Sequence, residues 1–487
     1  MTVAENIREI ALDALLVLEK GDEYSHRLVR AVLDKYAFLP ARDRAFFKRV
    51  VEGTVERRLE LDYYLESYSS LPPKKMKPLI RCLLRMSVYQ LCCMDSVPDR
   101  AVCDEACKLA AKRGFRNLRG FVNGVLRTIS REKNALPLPC RDQEPIRFLS
   151  VKYSMPEWLV RLWLDEYGIE ITETLLGGLM EIHPVCLRFR TDLSGDRMEE
   201  LLDSLRRTGA VLRQSAYLPY MYFLESGPKG GMAGGMNSLP GFVSGELTVQ
   251  DVSSALAVEA AGIGKDDFVI DVCAAPGGKS ILAAEKAARV LARDVSEEKA
   301  DLIRENIARM GTGNIEVQVF DGREYDESLQ GTADVVLLDV PCSGLGVMGK
   351  KRDIKYRVTP EGLEALGELQ RDIVRCAGRL VKPGGTLVYS TCTINRAENE
   401  EMVRFIASLP EFEPVSLEDR LPSGLLEQKR RLEGLLEQNK GAAEETGTKL
   451  SDKEKAACIQ LLPGYMESDG FFIALFCRKM TTAGAGV

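Results

Sequence analysis

The sequence predicts three domains of different class: an all-α domain, a small α+β linker domain, and an α/β domain built on a parallel, doubly wound sheet. Three observations carry this. The chain has 487 residues, too many for one hydrophobic core. Its N-terminal part shows apolar residues at i, i+3, i+4 and i+7 almost throughout. From Phe268 onward, short apolar runs alternate with helical ones, the pattern of βαβ units.

Within residues 1–140 the helical stretches are "AENIREIALDALLVLEK", "ARDRAFFKRVVEGTVERRLELDYYLESY", "MKPLIRCLLRMSVYQLCC" and "RAVCDEACKLAAKR". Pro72 and Pro73 in "SSLPPKK", and the segment "DSVPDR", punctuate them. Cys103 and Cys107 stand one helical turn apart and read as small apolar side chains on an inner face rather than a metal pair. Residues 141–240 follow a Pro-punctuated linker. They mix helices ("MPEWLVRLWLDEYG", "EITETLLGGLMEI") with strand-like pieces ("PVCLRFRT", "AVLRQSAYLPYMYFLE") and end in the Gly-rich "GPKGGMAGGMNSLPGF", a loop or mobile hairpin. In residues 241–480 the predicted strands are "FVIDVCA", "RVLARDV", "IEVQVFD", "ADVVLLDV", "GTLVYSTC" and "GFFIALFCRK". The interval 425–457 is charged and poor in aromatics, which predicts an exposed helical or disordered insertion.

Composition excludes several classes. The N-terminus carries acids throughout, unlike a signal peptide, and no apolar run approaches the length of a membrane span. Thirteen cysteines without framework spacing suit free thiols in a reducing, cytoplasmic setting. Two histidines, His26 and His183, and the lack of a C-x-x-C argue against a zinc site or a histidine-based triad. No metal is expected. The net charge of −6 hides an asymmetry. Residues 1–140 carry about 25 basic and about 18 acidic side chains, pointing to an appended nucleic-acid-binding module.

"FVIDVCAAPGGKS" (268–280) is a strand, a tight turn of small residues and a helix start. Gly277 and Gly278 let backbone approach a ligand, and the helix N-terminus offers unpaired N–H groups. Later strands end at Asp294, placed to accept from ribose hydroxyls, at Asp321, placed beside an adenine edge, and at Asp339. Such an acidic rim suits a cationic nucleoside, S-adenosylmethionine, better than NAD or ATP; neither a Walker A nor a full G-x-G-x-x-G is present.

Two thiols also stand at strand ends: Cys342 in "DVPCSGLG" and Cys392 in "STCT". Among methyl acceptors, a pyrimidine C5 needs a thiolate added at C6 to become nucleophilic, so a cysteine is the natural catalyst. The residues themselves leave open which thiol attacks.

"DVCAAPGGKS", "DVPCSGLG" and "STCT", in this order and spacing, resemble the RNA cytosine-5 methyltransferases of the Sun/NOL1/NOP2 type. The resemblance implies a Rossmann-like class I methyltransferase domain. It implies Cys392 as nucleophile, Cys342 as the thiol that assists release, and Asp339 beside the cytosine ring. It assigns the S-adenosylmethionine contacts to Cys273, Ala274, Ala275, Pro276, Gly277, Gly278, Lys279, Asp294, Asp321 and Asp339. "DRAFFKRVVEGTVERRLELDYYL", "LLRMSVYQL" and "GFRNLRGFVNGVLR" are similar to NusB, an RNA-binding helical fold. The combination is similar to bacterial small-subunit rRNA enzymes. It implies a substrate cytidine in 16S rRNA, free or early in assembly; a monomer is expected. Arg113, Arg116 and Arg119, with Lys350, Lys351 and Lys355 of "GKKRDIKYR", are candidate phosphate contacts. Arg352 stands where relatives carry a proline. The alternatives are the same chemistry on tRNA or 23S rRNA, or a non-catalytic ribosome-assembly factor.

Overall fold

The computed structural model describes residues 6–21, 23–181, 183–228, 235–439 and 449–480. They form two compact units. One holds the chain up to Leu176 together with Met348–Arg357; the other holds Gly177–Val347 and the chain from Val358.

The first unit is helical: α1 (Ile7–Lys20), α2 (Ser25–Lys35), α3 (Ala41–Glu56), α4 (Arg58–Tyr68), α5 (Pro78–Cys93), α6 (Asp99–Lys112) and α7 (Arg119–Glu132), then α8 (Pro145–Lys152). Asn6 caps α1 by accepting from the N–H groups of Arg8 and Glu9, and Gly21 ends it at φ 85°. The predicted single helix over 41–68 is two, because the backbone leaves helical geometry at Arg57. α5 is buried almost all round and is the centre of the bundle, with Leu83, Leu84 and Val88 fully covered. Cys103 lies in the same core, consistent with a small apolar side chain. Long helix α9 (Glu157–Met180) breaks at Gly168, where φ is 73°, and the chain leaves the first unit within it.

The second unit contains two sheets. Strands β1 (Val185–Phe189), β2 (Val211–Gln214), β3 (Met221–Ser226) and β4 (Leu247–Val249) form an antiparallel sheet ordered β2-β3-β1-β4. The larger sheet comprises β5 (Phe268–Asp271), β6 (Arg289–Asp294), β7 (Ile315–Val319), β8 (Ala333–Asp339), β9 (Val381–Thr391), β10 (Phe412–Pro414), β11 (Cys458–Leu461) and β12 (Phe471–Arg478). Its order is β10-β12-β9-β8-β5-β6-β7, with β11 also on β12. The run β9-β8-β5-β6-β7 is parallel. The expectation of an entirely parallel sheet is corrected at one edge: β12 runs antiparallel to β9, β10 and β11. β10 and β11 are too short to show periodicity.

Two further segments bear on the expectations, and the second changes one. Of the Gly-rich segment, residues 229–234 lie outside the described residues, and Gly235–Ser238 form one 3-10 turn. The interval 425–457 is not wholly exposed: helix Ser423–Asn439 buries Leu425, Leu426 and Leu432, and Lys429 Nζ donates to the Lys455 carbonyl at 2.7 Å. Charged residues on its outer face gave the segment its exposed signature.

The small sheet joins the larger one through a buried ion pair. Arg188 on β1 donates to Glu285 at 2.6 Å, with both side chains at most 3% exposed, and Glu285 also accepts from the Thr191 N–H and hydroxyl. Glu285→Ala leaves the arginine charge buried and alone, and is expected to cost about 3–5 kcal/mol. Urea denaturation checks this; a loss under about 1 kcal/mol would show that the pair is not a determinant of the unit's stability.

Candidate active site

The sheet register builds the site. Asp339, the last residue of β8, pairs with Ser390 on β9, and the parallel direction sends both chains out at the same rim. Cys342 follows three residues after Asp339 and Cys392 two after Ser390, so the two sulfurs meet at 3.3 Å. Both thiols are partly buried. The loop after Cys342 folds back onto β9 through Gly346 N–H to Cys392 C=O (3.1 Å). A Cβ at Gly346 would lie 1.9 Å from the Gly470 carbonyl, so this close crossing requires glycine.

Between β5 and the helix Gly278–Ala284, residues Cys273–Gly277 form the small-residue turn, with Gly277 at φ 100°, and Gly278 and Lys279 open the helix behind it. Ala275 N–H donates to Asp294 Oδ2 (3.0 Å), and Asp294 Oδ1 accepts from Lys299 (2.9 Å), so Asp294 closes the turn from the end of β6. Asp321 lies just beyond β7, where Arg323 holds its carboxyl below the usual range. Lys279 reaches Asp339 at 2.6 Å, and Ser390 Oγ donates to the other Asp339 oxygen at 2.9 Å. Burial pulls the Lys279 ammonium down, but Asp339, then Asp271 and Cys392, outweigh it and hold it above its ordinary value. Thus Asp339 and Lys279 link the turn to the thiol pair.

Cys342 is held well above the ordinary thiol range by its hydrogen bond to Cys392 and by burial, with the negative charge of Glu398 and Asp339 adding. Burial and the acids around it push Cys273 up as well, so its sulfur is an inert wall of the turn.

Sequence reasoning missed a buried network behind the thiols. Glu398, fully buried, accepts from Ser343 N–H (2.9 Å), Ser343 Oγ (2.5 Å), Gln370 Nε2 (3.0 Å) and Asn395 Nδ2 (2.9 Å). Asn399 accepts from Thr391 Oγ1 (2.6 Å) and donates to the Thr393 carbonyl (3.2 Å), bracketing Cys392. The available signal was "ENE" (398–400), a cluster of polar residues six positions after a strand-end thiol.

The candidate phosphate contacts divide. Arg116, in the 3-10 turn before α7, and Arg119, at its start, are exposed, as are Lys350 and Lys351. Arg113 is tied to Asp13 at 2.5 Å and to Glu9. Lys355 is a correction: it is 3% exposed, packed within the helical unit. The segment around it is anchored there, with Asp353 accepting from Ser25 N–H and Oγ, Arg352 pairing with Glu56 at 2.6 Å, and Tyr356 stacking under Arg58 at 3.7 Å. A run of basic residues hid this because one charge in it is turned inward.

The fold and this turn define a class I methyltransferase. The turn fits S-adenosylmethionine, the methyl donor of the class: two buried acceptors without a protein donor, Asp271 Oδ1 and Gln250 Oε1, belong to residues flanking it, and Gln250 lies against Gly278. Burial raises Asp271 to about 7.

Residues 261–477 match the family described as 16S rRNA methyltransferase RsmB/F, and residues 5–131 match the NusB family. A probable ribosomal RNA small subunit methyltransferase B of Bacillus subtilis is 36% identical over 480 residues, 97% of this chain and 99% of its own length. A protein of the same description from Synechocystis is 31% identical, covering 96% and 98%. The chain belongs to this methyltransferase B family. In fold it is also similar to the crystal structure of PH0851, at a TM-score of 0.72 and 23% identity, covering 98% of this chain and 100% of that one.

Lys355 yields a stability prediction. Burial pushes its ammonium down to about 7, with Glu56 opposing and Arg57, Arg58 and Arg352 adding. The unfolded chain keeps this proton up to about pH 10.5, so between pH 7 and that value it binds more protons than the folded state, and stability from this group rises with pH. Lys355→Met removes the penalty. Its advantage over the wild type in urea denaturation is expected to shrink by about 2–4 kcal/mol from pH 7 to pH 10. A constant difference would place the ammonium in water.

Proposed function

We propose that the chain transfers a methyl group to C5 of a cytidine in 16S rRNA through a covalent bond between Cys392 and C6. The observation that carries this is the thiol pair, 3.3 Å apart, linked through Asp339 and Lys279 to the donor's turn. S-adenosylmethionine supplies an electrophilic methyl group on a sulfonium. Cys392, beside the Lys279 charge, adds as thiolate to C6, which leaves C5 electron-rich enough to take the methyl. Asp339, at the rim, hydrogen-bonds the cytosine ring and favours that addition. Once Cys392 is a thioether its sulfur carries no negative charge, and the repulsion that kept Cys342 protonated falls. Cys342 then loses its proton to solvent and takes the C5 proton. The C5 electrons re-form the C5–C6 double bond and expel Cys392.

The relatives' description as small-subunit rRNA methyltransferases supports 16S rRNA as substrate. A target base must leave its stack to reach a partly buried thiol, which favours a loop or helix end. The exposed Arg116 and Arg119 of the NusB-like domain suit phosphates.

Cys342→Ala incubated with 16S rRNA and S-adenosylmethionine is expected to accumulate a protein–RNA adduct that survives a denaturing gel. Cys342→Ala/Cys392→Ala is expected to form none. An adduct that persists in the double variant overturns Cys392 as nucleophile. Replacing Arg116 and Arg119 by Ala is expected to weaken RNA binding and to lower the slope of log affinity against log salt by about 1 for each phosphate no longer engaged. An unchanged slope assigns the phosphates to other side chains.

A further inference from the structure

The two sulfurs are chemically alike and lie at the same rim, so something must make them unequal. We propose that Glu398 is the positioning residue that does so: its buried carboxylate ties together the loops that carry the two thiols and sets a negative charge beside the loop of Cys342. This rests on the division of labour proposed above.

The tie is direct. Ser343, the neighbour of Cys342, gives both its N–H and its hydroxyl proton to Glu398. With that proton committed, the 2.6 Å contact between Ser343 Oγ and Thr393 Oγ1 has Thr393, the neighbour of Cys392, as donor. Asn395 on the same loop also donates to Glu398. Gln370 donates both to Glu398 and to the Pro341 carbonyl, on the other side of Cys342. One carboxylate therefore holds the residues around each sulfur. No lysine or arginine bonds it among its described partners, so its charge is met by neutral dipoles and remains felt nearby.

Among the described residues, the charged and titratable groups around the pair include Glu398 behind it, Asp339 from β8, Tyr389 from β9 and Lys279. Lys279 interacts with Cys392, and the Glu398 charge adds to the Cys392 hydrogen bond and the burial that hold Cys342 up. A positive neighbour favours the thiolate and a negative one the thiol. After attack by Cys392, the same negative charge makes the Cys342 thiolate a stronger base toward the C5 proton.

The test compares wild type with Glu398→Gln, which keeps the shape and removes the charge. Iodoacetamide labelling of each cysteine is followed by peptide mass spectrometry from pH 6 to pH 10, without RNA. Cys342 labelling at pH 8 is expected to rise about tenfold, one unit of thiol acidity. With 16S rRNA and S-adenosylmethionine, Glu398→Gln is expected to accumulate adduct, as slow release requires. Unchanged labelling profiles in a folded variant overturn the proposal. If Glu398→Gln does not fold, Ser343→Ala decides: it breaks the hydroxyl link between Glu398 and Thr393 but leaves the charge. In the Cys342→Ala background it is expected to slow adduct formation about tenfold, about 1.4 kcal/mol, and an unchanged rate overturns the positioning role. Cys342→Ala with Glu398 intact serves as reference. If it forms no adduct, the proposed reaction fails, while the labelling profiles still report on Glu398.

Discussion

The pairing of Asp339 with Ser390 across β8 and β9 is the constraint from which the site follows. Parallel strands present their carboxyl ends on one side, so two chain segments fifty residues apart leave the sheet as neighbours. A shift of one residue would turn every β9 side chain to the other face. Leu387 to Thr391 are all buried, with Leu387 and Tyr389 packed in one core cluster, so such a shift would repack both faces of the strand. Tyr389 adds a second lock, donating its hydroxyl to the Glu398 carbonyl at 2.7 Å. The geometry of the thiols is thus inherited from core packing rather than from contacts between the thiols themselves.

Around this register the site separates charges of opposite sign. Acids end β6 and β8, and their partners are specific: Lys299 for Asp294, Lys279 for Asp339. Glu398 is met by N–H and O–H dipoles instead. A buried carboxylate with neutral donors is held in place by many hydrogen bonds while its field remains unneutralised, which suits a group that acts through a neighbour. Removing any one donor would leave a buried acceptor short, so Ser343, Gln370 and Asn395 are constrained together.

The helical unit follows another logic. Its core around α5 is apolar, yet it accepts ten residues, Met348–Arg357, from the loop beyond Cys342. They are held by polar contacts: Asp353 on Ser25, Arg352 on Glu56, Arg357 on the Gly21 carbonyl. Arg352 thereby has a structural partner.

Local chemistry made much of this legible in advance. Helical spacing marked the bundle. A strand followed by Ala-Pro-Gly-Gly marked the donor's turn, because a positive φ at Gly277 is a property of one residue and its neighbours. Strand ends placed Asp294, Asp339, Cys342 and Cys392 at one rim. Beyond that, periodicity was silent. It could not show that β12 reverses direction, that Lys355 turns inward from a basic run, or that the acid of "ENE" reaches back to Ser343, since each depends on neighbours distant in the chain. The sequence by itself determined which residue types stand at the ends of which elements, because turns, caps and strand ends are local. Which of those ends touch, and which thiol faces which charge, only the tertiary structure decided, because register and burial come from packing the whole sheet.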